Sequence, residues 1–262
     1  MTAPTVERSS IDPRIRQRRE QIERSRTQKR LRWLAVFAGV AVLVAAGVFL
    51  LHTPLFEAKI VIVAGNHPNT TTQAIEAAAG VTDHPPLISV DPGPAAARVE
   101  TLPFIASAQV IRHWPDAVTI AVTERIPVAV MAGPSTEWST LDGNGRTLAV
   151  TTTRPALPVL AATAKSAVVP APVGATVGSA ANPGLLVART LPPAFVAQVV
   201  SITVAADGTV SLALTSGLTV LLGTVSDLPA KYEDVAAIIA HASLGDAHTI
   251  DVTVPQSPTI GP

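Results

Sequence analysis

The side chains that could do chemistry in this chain are few and scattered. Six histidines stand at positions 52, 67, 84, 113, 241 and 248. No two are spaced as H-x-x-H or H-E-x-x-H, the patterns that set paired imidazoles on one helical face for a metal. His241 and His248 flank Asp246, a set that would make at most a weak metal site and reads more simply as loop residues after a helix. Asp142-Gly143-Asn144-Gly145 opens like a calcium loop, but the later acidic ligands are missing and the same residues are a strong hairpin-turn signal. Glu124-Arg125 suits a surface ion pair. There is no G-x-S-x-G, P-loop or G-x-G-x-x-G motif. The chain has no cysteine, which removes disulfides, thiolate metal sites and cysteine nucleophiles together. The expectation is a protein that is not an enzyme, with no cofactor, metal, small-molecule substrate or nucleic-acid partner.

With no catalytic constellation, the informative features are membrane and surface. Trp33 to Leu51 reads WLAVFAGVAVLVAAGVFLL, without a charged residue. Nineteen residues at ~1.5 Å each reach ~28 Å, close to the ~30 Å hydrocarbon core of a bilayer. Such a run is helical there because lipid offers no partner for backbone N–H and C=O groups. The formal net charge of zero conceals an asymmetry. Residues 1–32 hold ten Arg/Lys against four acids, and residues 33–262 hold nine against fifteen. The excess of +6 on the short side predicts a cytoplasmic N-terminus and an exported C-terminal part. A cleaved signal peptide fits less well, because its apolar region is usually ~7–15 residues and ends in small residues. The basic tail, 1–32, reads as an orientation-setting flank, with attraction to anionic lipid or to nucleic acid as the alternatives.

Residues 55–124 read as a small α/β unit. Lys59–Gly65 is a strand. Thr70 and Gln73 have capping-box spacing for a helix with Ala74, Ile75, Ala78 and Ala79 on its apolar face, closed by Gly80. Asp91-Pro92 starts a second helix in which Val99 and Leu102 point inward. Ile105–His113 and Ala117–Glu124 are strands joined at Trp114-Pro115-Asp116. The first should place Ala106, Ala108 and Val110 on one face, the second Val118, Ile120 and Val122 inward. The order is β-α-α-β-β. Beyond it come a hairpin around 142–145, a strand over 155–160, a loop over 161–182 and a short helix from Asn182-Pro183. Strands over 199–204, 209–214 and 218–222 follow, then a helix capped at Ser226 or Asp227 and a last strand, Thr249–Val254.

The run Arg112-His113-Trp114-Pro115-Asp116-Ala117-Val118-Thr119-Ile120-Ala121-Val122-Thr123-Glu124-Arg125-Ile126-Pro127-Val128-Ala129 resembles a stretch of the FtsQ/DivIB family of bacterial cell-division proteins, in its actinobacterial style. Gly65-Asn66, Pro86–Asp91 and Leu102–Ala108 resemble further pieces of that family. The resemblance implies an α+β chain: a single transmembrane helix, a POTRA domain (β-α-α-β-β) and a β-rich C-terminal domain. The expected division is a cytoplasmic tail at 1–32, the helix at 33–51, the POTRA domain at 55–124, the β domain at 125–255 and a loose tail at 256–262. Arg112, Trp114, Pro115, Glu124, Arg125 and Pro127 are the signature positions, and Trp33 and Leu51 bound the anchor.

The resemblance also implies a divisome scaffold in the cytoplasmic membrane at the septum, controlling septal wall synthesis through FtsB and FtsL. Further divisome contacts would go through the POTRA domain. Strand addition would occur at a sheet edge formed by Thr249, Ile250, Asp251, Val252, Thr253 and Val254. Substituting Val252 or Val254 by Glu should then abolish binding without unfolding. The alternative is a POTRA-containing translocation or envelope-assembly factor.

Overall fold

The computed structural model describes residues 13–51, 53–163, 169–241, 248–255 and 257–261. A single helix, α1 (Pro13–Leu51), runs unbroken from the basic segment through the apolar run. Its stretch Arg32–Leu50 is the one helix among the described residues long and apolar enough to cross a membrane, and none of it is buried against protein.

The β-α-α-β-β unit is built as its residues predict. Strand β1 (Ile60–Ala64) lies parallel to β3 (Ala117–Glu124), which pairs antiparallel with β2 (Ile105–His113), giving the order β1-β3-β2. Helices α2 (Thr72–Ala79) and α3 (Pro92–Val99) cover one face. Ile75, Ala79, Val99, Val118, Ile120 and Val122 form its core with Ile105 and Val110. Two local expectations shift. The α2 cap is Thr71, whose side chain accepts from Ala74 N, one residue after Thr70. Ala106 is exposed rather than inward, because the β2 register slips between Ile105 and Ser107. Gly80 ends α2 in the left-handed region at φ 76°, where glycine has no Cβ to strain.

The C-terminal domain is one nine-stranded sheet in the order β12-β11-β10-β9-β8-β7-β4-β5-β6. Its strands are β4 (Pro127–Ala132), β5 (Trp138–Asp142), β6 (Thr147–Thr151), β7 (Val159–Ala162), β8 (Val199–Val204) and β9 (Val210–Leu214), followed by β10 (Thr219–Gly223), β11 (Thr249–Asp251) and β12 (Thr259–Gly261). Helix α4 (Asn182–Thr190), the short α5 (Pro193–Val196) and α6 (Leu228–His241) complete the domain. Leu185, Val187 and Ala188 of α4 join Leu160, Ile202, Val204 and Leu212 of the sheet in one core.

The end of the domain differs from expectation. The last predicted strand stops at Asp251, three residues early. Its carboxylate Oδ1 accepts from Thr253 N at 2.8 Å, and Ser257 N donates to Val254 O at 3.3 Å, so the chain turns back. Residues 259–261 then pair antiparallel with β11 as β12. The 256–262 segment is therefore not a loose tail over 257–261; Gln256 and Pro262 lie outside the described residues.

Candidate functional site

Strand β11 is flanked on both sides, parallel to β10 through Val220↔Ile250 and antiparallel to β12 through Ile250↔Ile260. Ile250 and Val252 are fully buried, and Val252 N donates to Leu221 O at 3.0 Å. Thr249 and Asp251 are half-buried, and Thr253 and Val254 are exposed. The six residues expected to form the open edge instead form an interior strand and the turn beyond it. Glu at Val252 would bury an unpaired charge and act on the fold rather than on a partner. Among the described residues the open edge on this side is β12, with Ile260 44 % exposed. The opposite edge is β6, where Val150 is exposed.

The signature residues gather at the two ends of β3. At its start, the Trp114–Pro115 peptide is cis, and the exposed Trp114 ring meets Phe56 edge-on with centroids 6.0 Å apart. Arg112 Nη1 donates to Leu87 O at 3.3 Å. At its far end, the Glu124 carboxylate accepts from Asn69 N at 3.2 Å and Asn69 Nδ2 at 3.0 Å, holding the turn after β1. Arg125 N donates to Phe104 O at 2.7 Å, and its Nε donates to Ile105 O at 3.1 Å. Arg125 Nη1 reaches Asp142 Oδ2 at 2.9 Å, and Asp142 Oδ1 accepts from Asn144 N and Arg146 N. Arg125 thus ties the POTRA-type unit to the β domain, a stronger role than the surface ion pair its neighbours in sequence suggest. Pro127 opens β4 opposite Asp142. A cleft of about 520 Å³ lies at this junction beside Asn69, Glu124 and Ile126.

Sequence reasoning missed a buried lysine. Lys231 sits on the inner face of α6, fully buried, where Nζ donates to Leu222 O at 2.8 Å and Thr224 O at 2.7 Å. Burial pushes its pKa below the usual lysine value, and the nearby Asp227 opposes that shift. The signal was present: position 231 falls beside Leu228, Tyr232 and Val235 on the α6 apolar stripe. Burial likewise raises the pKa of Tyr232, opposed by the hydrogen-bonded Thr190 hydroxyl. Of the set His241, Asp246 and His248, Asp246 lies outside the described residues. Among the described residues no three His, Asp or Glu side chains gather as metal ligands.

One candidate membrane helix, a POTRA-type unit and a β-rich domain define the class of this α+β protein. The FtsQ-type POTRA domain profile matches residues 56–125, and that of the FtsQ/DivIB C-terminal domain matches residues 129–253. The chain is 31 % identical over 235 residues to cell division protein FtsQ of Streptomyces collinus, covering 88 % of both chains. It is 32 % identical over 232 residues to FtsQ of Mycolicibacterium smegmatis, covering 88 % of this chain and 65 % of that one. Against FtsQ of Mycobacterium leprae it is 29 % identical, covering 82 % of this chain and 58 % of the relative, so it spans under two thirds of these two mycobacterial proteins. A solved extracytoplasmic domain of DivIB from Geobacillus stearothermophilus aligns with a TM-score of 0.30 and 21 % identity, covering 45 % of this chain and 96 % of that one. The chain belongs to the FtsQ/DivIB family of cell division proteins.

Proposed function

We propose that this chain is a bitopic scaffold of the divisome that receives FtsB, paired with FtsL, at the open edge of its β domain and so controls septal wall synthesis. The tail and the apolar part of α1 orient and anchor it, with the N-terminus cytoplasmic and both domains outside, at the septum. The POTRA domain supplies further divisome contacts. The roles proposed for the chain are non-catalytic. The observation that carries this reading is β12: a terminal strand whose outer side faces no other strand among the described residues. An unpaired row of N–H and C=O groups is a template for strand addition, with alternate side chains adding specificity. The edge lies one strand beyond the 249–254 segment named from sequence, and Thr259, Ile260 and Gly261 take over its role.

The test is co-purification of full-length protein with an FtsB–FtsL pair. Ile260→Glu places a charge on an exposed edge residue and should lose the pair while the melting curve stays unchanged. Retained binding by a folded Ile260→Glu protein would overturn edge pairing. Protease added to intact spheroplasts should digest the C-terminal domains and spare the tail; protection of those domains would overturn the topology.

A further inference from the structure

Between α1 and the first domain, the stretch from Thr53 to Phe56 is turned, not extended. Thr53 N and Thr53 Oγ1 both donate to Leu50 O, at 3.0 and 2.6 Å. Phe56 N then donates to Thr53 O at 3.0 Å, closing the single turn Pro54–Phe56. Ala58 N donates to Pro85 O and Ile60 N to Asp116 O, fastening this stretch to the domain. Phe56 is five residues past Leu51, a reach of ~17 Å even if fully extended. Its ring contacts Trp114. Around that contact Leu55 is 68 %, Trp114 51 % and Ile60 51 % exposed.

Strand direction fixes which end of the sheet this is. β1 and β3 are parallel and both begin here, at Ile60↔Ala117. β3 runs eight residues away, ~26 Å, before Arg125 begins the β domain. The apolar patch and the β domain therefore lie at opposite ends of the sheet, and the patch is at the end adjoining α1.

We infer that the Trp114 end of the POTRA-type sheet rests in the membrane interface, with the Trp114 indole and Leu55 at headgroup depth. Indoles favour this zone because their rings are apolar while the N–H stays hydrated. The contact sets the tilt of the domain on the bilayer instead of leaving it swinging on its tether. This inference rests on the reading that 33–51 spans the bilayer.

The chain has three tryptophans, so single-Trp proteins are simple to make. Full-length chains retaining only Trp33, Trp114 or Trp138, the others replaced by Phe, are placed in phosphatidylcholine–phosphatidylglycerol bilayer discs. The lipids carry bromine either near the headgroup or deep in the acyl chain. Trp114 emission should be blue-shifted and quenched most by shallow bromine, Trp33 should be quenched, and Trp138 on β5 should not. Quenched Trp33 with unquenched Trp114 would overturn the inference and leave the anchor standing, as when a protein partner covers the patch instead. Unquenched Trp33 would overturn the anchor and the inference together.

Discussion

Arg125 Nη1 stands 2.9 Å from Asp142 Oδ2, and this pair joins the residue following β3 to the last residue of β5. The Asp142 side chain is 4 % exposed, so its charge depends on partners. Arg125 supplies one, and Asn144 N and Arg146 N supply the others. The planar guanidinium also holds Ile105 O, which makes it a fork between two domains.

Arg125→Ala should cost about 2–3 kcal/mol, because it leaves a buried carboxylate short of a partner. Arg125→Lys should recover part of this, since an ammonium can keep the charge but not both directed bonds. Urea unfolding of the full chain in detergent, followed by near-UV circular dichroism, measures both; an unchanged midpoint for Ala would show that the fork carries no load.

Gly184 lies in α4 where an added Cβ would meet Leu160 Cδ1 and, at 2.7 Å, Val204 Cγ2. Ala normally favours a helix over Gly by ~1 kcal/mol. Here overpacking should outweigh that, and Gly184→Ala should destabilise by about 1–3 kcal/mol. A raised melting temperature would contradict the close helix–sheet approach.

The chain has one tyrosine, so its phenolate absorbance reports Tyr232 alone. Because burial raises its pKa, the 295 nm band of the folded protein should appear above pH 10.0 and fall to the ordinary value in denaturant. The sign for stability follows: deprotonation is easier in the unfolded chain, so stability is lost as pH rises past 10.0.

Lys231 acts oppositely. Its folded pKa is lowered, so the unfolded chain binds the proton more tightly and stability rises as pH climbs from the folded value toward 10.5. In a Tyr232→Phe background, Lys231→Met should flatten that rise. It should also cost about 2–3 kcal/mol at neutral pH, because the Leu222 and Thr224 carbonyls lose a charged donor. Stability against pH by urea titration separates the two effects.

A cysteine-free chain makes Thr259→Cys a unique thiol. If FtsB adds a strand at β12 as proposed, cysteines walked along that FtsB segment should crosslink to it at every second position, the period of strand side chains. Uniform or absent crosslinking would argue against an added strand at β12.

The first domain was almost wholly legible because its strands alternate cleanly and its helices carry start and stop residues. Val118, Ile120 and Val122 face inward as their spacing requires, and Gly80 ends its helix. Ala106 was misplaced because a register slip leaves no trace in an alternating run. The C-terminal edge failed for a different reason. Thr259-Ile260-Gly261 is too short to carry a period, and what makes it a strand is pairing with β11. Glu124-Arg125 reads as a surface ion pair and Lys231 belongs to no motif; tertiary packing turns Arg125 into a fork between domains and Lys231 into a buried donor.

Helix α1 has 39 residues and no break. At ~1.5 Å per residue it is a rod of ~58 Å, about half of it beyond the apolar span. Its end is turned directly into the first domain through Thr53 and Phe56. Such a rod transmits azimuth: each residue inserted before Trp33 would turn the tail by ~100° relative to the two domains that follow it. The direction in which the basic segment faces is then geared to the direction in which the β12 edge faces.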